Sequence, residues 1–109
     1  MNLNDYQNLA RQTASPKDKK NELFNLLLGL SGEASEIAEK TRKIIRDHES
    51  DFSLLDTKDL TKELGDVLWH VAILADYFDI ELDTVATANI EKLASRQQRG
   101  VLGGSGDDR

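Results

Sequence analysis

Apolar residues recur every three or four positions along most of this chain and almost never alternate, which restricts the fold to packed helices. A first helix is expected over about Leu3 to Thr13, closed at "ASPKD", where Pro16 disfavours helical geometry at Ser15. The longest is expected over about Asp18 to Asp47, with a seam of Leu23, Leu27, Leu30, Ala34, Ile37, Thr41 and Ile44. Gly29 and Gly32 interrupt it. Each costs about 1 kcal/mol against alanine inside a helix, so either the helix bends there or a neighbour approaches its backbone closely. "HESDFSLLD" reads as a turn, with Asp56 or Thr57 capping a third helix to about Asp76. "DIELD" leads to a fourth helix over about Thr84 to Gln98, stopped by Gly100. Residues 1–99 therefore read as one all-α domain, a bundle of four to five helices with long antiparallel members. Residues 100–109, "GVLGGSGDDR", read as a Gly-rich flexible tail.

The totals narrow the partners. Twenty acidic against fourteen basic residues give a net charge of -6, which disfavours broad binding to a nucleic-acid polymer or an anionic membrane. The chain has no cysteine, so it has no disulfide framework and no thiol nucleophile, in keeping with a reducing cytoplasm. "MNLNDYQNLARQ" lacks the basic start and apolar core of a signal peptide, and no apolar run approaches the roughly 20 residues a bilayer needs. A soluble cytoplasmic protein is the expectation.

"GEASEIAEK" sets Glu33, Glu36 and Glu39 three residues apart. At about 100° per residue, Glu33 lies roughly 75° and Glu36 roughly 135° to one side of the second helix's seam. On the third helix the seam is Leu60, Leu64, Val67, Val71, Leu74 and Phe78. Glu63 and Asp66 lie roughly 80° and 140° from it in the same sense. For antiparallel neighbours packed on their seams, equal offsets fall on one side of the pair, so the four carboxylates would share a wall. Such a wall repels itself unless solvated or neutralised, and Mg²⁺ or Mn²⁺ suits carboxylate oxygens. Spacing alone does not separate a cation site from solvated surface charge, because Asp56/Asp59 and Asp76/Asp79 repeat it.

Two further helix faces are unusual. The third helix is apolar opposite its seam as well, at Trp69, Ile73 and Tyr77 around His70, so its second face meets another subunit or lines a substrate pocket. Trp69 is a candidate for stacking on a base, with packing as the alternative, and His70 reads as a core or interface residue. On the fourth helix the stripe that begins with Leu82, Val85 and Ala86 continues as Asn89, Lys92 and Arg96. Those cations either reach solvent, pair with the acidic wall, or bind an anionic ligand such as a phosphate chain.

Together "GLSGEASEIAEK", "KELGDVLWHVAILA" and "NIEKLASRQQRG" resemble the MazG-like nucleotide pyrophosphohydrolases of the all-α NTP pyrophosphatase superfamily, over about Asn21 to Gly100. The resemblance implies that Glu33, Glu36, Glu63 and Asp66 bind Mg²⁺ and are catalytic, and that Asn89, Lys92 and Arg96 contact substrate phosphates. It implies hydrolysis of a (d)NTP to a (d)NMP and diphosphate, in nucleotide-pool control or house-cleaning. It also implies self-association as a homodimer or homotetramer, a dimer or dimer of dimers, with sites near subunit contacts. Glu39 reads as surface charge, with an outer-shell base as the alternative. The tail reads as disordered or as a lid whose backbone N–H groups approach the phosphates.

Two rival classes frame this reading. A ferritin-like di-iron bundle wants Glu-x-x-His pairs, and the chain has none. The other is a non-enzymatic oligomeric helical interaction module, in which the carboxylates are surface charge.

Overall fold

A reciprocal capping box opens the first helix: the Asp5 N–H donates to the Asn2 side chain at 2.8 Å, and the Asp5 carboxylate accepts from the Asn2 N–H. From there the computed structural model, which describes residues 1–109, runs through four α-helices and no strand. They are α1 (Leu3–Arg11), α2 (Glu22–Asp47), α3 (Thr57–Tyr77) and α4 (Leu82–Arg99), with a 3₁₀ turn at Phe52–Leu54. The second helix starts later than the sequence led us to expect. The Lys19 and Glu22 N–H groups close turns onto the Pro16 and Lys19 carbonyls, and Asn21 adopts a left-handed conformation (φ 62°) before the helix can begin. Asp56 caps α3 by accepting from the Lys58 and Asp59 N–H groups, and Gly100 ends α4 at φ 71°.

Helices α2 and α3 form an antiparallel pair. Lys40 meets Asp59, Glu36 meets Glu63 and Gly29 meets His70, so position rises along one helix as it falls along the other. The pair packs on only part of the expected seams. On α2, Leu26 and Ile44 are buried, with Ile37 and Glu33 half-buried beside them, while Leu27 and Ala34 are exposed. The contact stripe is thus turned by about 40° toward the acidic edge. On α3 the buried residues are Ala72, Ile73 and Ala75, whereas the expected seam residues Leu64 and Phe78 are 52% and 57% exposed. The reason is that α1, α2 and α4 all pack against α3 and take different sides of it. The face opposite the expected seam enters the core: Ile73 clusters with Leu26 and Ala10, and Trp69 and Tyr77 pack around them.

Gln7 ties the far end of the fold together. Its buried amide donates to the Ala72 carbonyl at 3.0 Å and the Ile80 carbonyl at 2.9 Å, and its oxygen accepts from the Leu82 N–H at 3.0 Å. One side chain thereby joins α1, the end of α3 and the start of α4. Gln7→Ala removes three hydrogen bonds, two of them buried, and we expect a loss of about 2 kcal/mol of stability by urea denaturation. An unchanged midpoint would contradict that role.

The single chain is open. Its accessible surface is 7819 Å², against about 6,100 Å² for a compact monomer of 12.2 kDa. Its radius of gyration is 17.0 Å, against about 13 Å for a compact domain of this length. Phe24, Leu28, Leu64 and Ile90 are among the large apolar side chains that stay exposed.

Candidate active site

Antiparallel packing of α2 on α3 brings Glu33 and Glu36, one turn apart, against Glu63. One carboxylate oxygen from each lies within 4.8 Å of the others. The rotation of the α2 contact stripe explains the proximity, since it turns Glu33 into the interface. Glu63 is enclosed, with a side chain 14% exposed, and its Oε2 is buried with no hydrogen-bond partner. Its pKa is pushed above the usual carboxylate range, first by hydrogen bonding with Glu36. Burial and the charges of Glu36 and Asp59 push the same way, and Lys40 opposes them.

Lys40 is the functional neighbour that sequence reasoning passed over. Its ammonium donates to Asp59 Oδ2 and stands 3.7 Å from Glu63 Oε1. Spacing puts each on the acidic edge of its own helix: Lys40 follows Glu33 by two helical turns, and Asp59 precedes Glu63 by one. Lys40 supplies one positive charge, yet Glu63 Oε2 remains unpartnered. Three convergent carboxylates with an orphaned buried oxygen form a hard, oxygen-only donor set, which fits a divalent cation.

The remaining candidates sit as follows. Asp66 is exposed and stands outside the group of three, so the structure brings together three of the four expected carboxylates. Its charge is felt instead at Tyr6 on α1, whose pKa is raised first by burial and then by Asp66. Glu39 is held below the usual range by its hydrogen bonds from Arg42, one of them 2.9 Å long, and stays outside the cluster. Trp69 donates from Nε1 to Thr13 Oγ1 at 2.8 Å, and its ring lies edge-on to His70 with centroids 4.9 Å apart. His70 Nδ1 lies 2.9 Å from the Asp66 carbonyl, which can only accept, so the proton is on Nδ1 and Nε2 faces α2.

On α4, Asn89 is exposed, Lys92 is half-buried and Arg96 is buried with its Nε unpartnered. Lys92 reaches solvent, and neither it nor Arg96 pairs with the acidic cluster. Both bind Asp107, at 3.2 Å and 3.4 Å. Helix α4 packs on α1 and α3 and makes no contact with α2, so within one chain this stripe and the Glu33/Glu36 pair ride on helices that do not touch.

Comparison with known proteins places this geometry. The MazG nucleotide pyrophosphohydrolase domain matches residues 22–101, a span that takes in the three clustered glutamates and the α4 stripe. The chain belongs to the MazG nucleotide pyrophosphohydrolase family. Its MazG domain begins with α2 and omits α1, which contributes Gln7 and Ala10 to the packing instead. The Gene 37 protein of Mycobacterium phage L5 is 44% identical over 114 residues, covering all of both chains. The uncharacterized protein YvdC of Bacillus subtilis (strain 168) is 40% identical over 72 residues, covering 62% of this chain and 68% of its own. No solved structure gave a significant match. No helix of this MazG protein is long and apolar enough to cross a membrane.

Proposed function

We propose that the chain is a metal-dependent nucleoside triphosphate pyrophosphohydrolase, converting (d)NTP and water to (d)NMP and diphosphate. The observation that carries this reading is the Glu33, Glu36 and Glu63 cluster, with its unpartnered Glu63 oxygen, inside a MazG domain. Mg²⁺ is the expected ion and Mn²⁺ a substitute, held by Glu33, Glu36 and Glu63, with Asp66 on the next turn of α3 as the fourth ligand. Ions of this class polarise phosphoryl oxygens and make water a stronger nucleophile near neutral pH. The protein's own groups do the rest. Lys92 and Arg96 neutralise the leaving diphosphate while Asn89 orients it.

The site is completed by a second copy in this reading. The chain exposes about 1,700 Å² more than a compact monomer, an area in the range of a stable interface, and much of it is apolar. Self-association as a homodimer or homotetramer covers the exposed seams of α2 and α3. It also lets the α4 stripe of one copy approach the carboxylates of another. Nucleotide-pool control or house-cleaning in the cytoplasm is the role this chemistry suits.

A screen of natural and modified (d)NTPs with Mg²⁺, scored for diphosphate and monophosphate, tests the activity. Turnover of none of them, with an assembled oligomer in solution, would leave the interaction module as the better reading. Lys92→Ala is expected to raise KM by about tenfold, as loss of a charge-assisted phosphate contact does. Unaltered kinetics would remove Lys92 from the phosphate site.

A further inference from the structure

The last residues do not trail into solvent. After the left-handed Gly100, the Val101 N–H donates to the Arg96 carbonyl at 2.9 Å, and positive φ at Gly104 (100°) and Gly106 (87°) turns the chain back. Arg109 closes the loop from within: its guanidinium donates to the carbonyls of Val101 and Gly103, both at 3.1 Å, and of Leu102 at 2.8 Å. Arg99 in turn donates to the Arg109 carbonyl at 2.8 Å. This fold-back delivers Asp107 to α4.

There Asp107 offers two kinds of oxygen to the two cations. Its carboxylate lies 3.2 Å from Lys92 Nζ and 3.4 Å from the Arg96 guanidinium, and its backbone carbonyl accepts from the same guanidinium. The Arg96 side chain is 5% exposed, whereas that of Asp107 is 85% exposed. A buried arginine is therefore met by a water-accessible anion on a glycine-rich loop. Hydrogen bonds from Lys92 and then Arg96 hold the Asp107 carboxyl below its usual range, so it is charged at neutral pH.

We propose that Asp107 is a built-in competitor for polyphosphate, occupying Lys92 and Arg96 in the absence of substrate and displaced when the phosphate chain binds. The inference rests on the phosphate-binding role proposed for those two residues. Two oxygens of one acidic residue stand where phosphate oxygens would stand. Because Asp107 and Lys92 face water, their pairing is screened and weakly held, so a ligand with several negative charges can replace it. The glycines at 103, 104 and 106 give the loop the backbone freedom to leave. The tail thus sets the apparent affinity for substrate and does not itself take part in the chemistry.

Calorimetric titration of the full chain with inorganic tripolyphosphate, pre-equilibrated with Mg²⁺, tests this. Asp107→Ala is expected to bind about three- to fivefold more tightly than the wild type, the range open to an exposed ion pair. Asp108→Ala, which removes an adjacent charge bonded to neither cation, is expected to bind as the wild type does. Wild-type affinity in Asp107→Ala alongside weakened binding in Lys92→Ala would overturn the competition while leaving the phosphate stripe intact. Wild-type affinity in both variants would remove the stripe itself and the competition with it.

Discussion

Glu63→Gln is expected to lower kcat for nucleoside triphosphate hydrolysis by at least about 100-fold while raising the melting temperature of the metal-free protein. The first effect follows from the donor set. Loss of an outer-shell partner of a metal site costs about 10- to 100-fold, and Glu63 is in direct position to ligate. The second follows from repulsion. Glu63 is enclosed beside Glu36 and Glu33 and pays for its charge in the absence of a cation, a cost that an amide of the same shape does not carry. A merely structural glutamate would lose stability on the same substitution. Unchanged metal affinity by titration calorimetry, or a lower melting temperature without metal, would contradict this assignment.

The same balance gives a pH dependence with a definite sign. Because the Glu63 pKa is raised in the folded state, the folded chain holds a proton that the unfolded chain has released. That contribution is fully present below the ordinary glutamate value of 4.5, and it is lost as pH rises through the raised value. Glu39, Asp47 and Asp107 are shifted the other way by their basic partners, so their protons leave below this window. The stability gap between metal-free Glu63→Gln and wild type should therefore widen as pH rises above 4.5 and close when Mg²⁺ is added. A gap independent of pH would show that Glu63 ionises normally.

Gly29→Ala is the second large effect, with an expected loss of about 3 kcal/mol by denaturant unfolding. A Cβ at position 29 would lie 2.3 Å from His70 Nε2, and the imidazole has little room to retreat. It is tethered by Nδ1 to the Asp66 carbonyl and backed by the edge of Trp69. Gly32→Ala meets nothing within 4 Å and should instead gain up to about 1 kcal/mol of helix propensity. The same substitution three residues apart thus has opposite signs. Adding His70→Ala to Gly29→Ala should restore much of the loss, and failure to do so would mean that the clash is not with the ring.

Gly29 and Gly32 look alike in the sequence, and only the His70 ring seated against α2 distinguishes them. Similarly, the periodicity of α3 reveals two apolar faces, but the face that meets its own chain depends on where α1 and α4 dock. Helix identity was legible because it is local: Asp56 marks a boundary by its side-chain cap, and Pro16 and Gly100 by their backbone chemistry. Glu33, Glu36 and Glu63 were legible because antiparallel packing converts rotational offset into proximity. Asp66, one turn on and about 60° further round α3, lies outside the group of three, because offset alone does not fix ligand distance. The Asp107 contact was hidden for another reason. A glycine-rich tail has no periodicity, and its fold-back depends on Arg109 finding carbonyls within its own loop.

In the proposed reaction the α2–α3 carboxylates direct water to the α-phosphate of a nucleoside triphosphate. Hydrolysis of a (d)NTP in ¹⁸O-water with Mg²⁺, followed by ³¹P NMR, tests it most directly. Monophosphate and diphosphate are the only products expected, with the label in the monophosphate. Label in the diphosphate, or release of orthophosphate and a nucleoside diphosphate, would contradict this reaction.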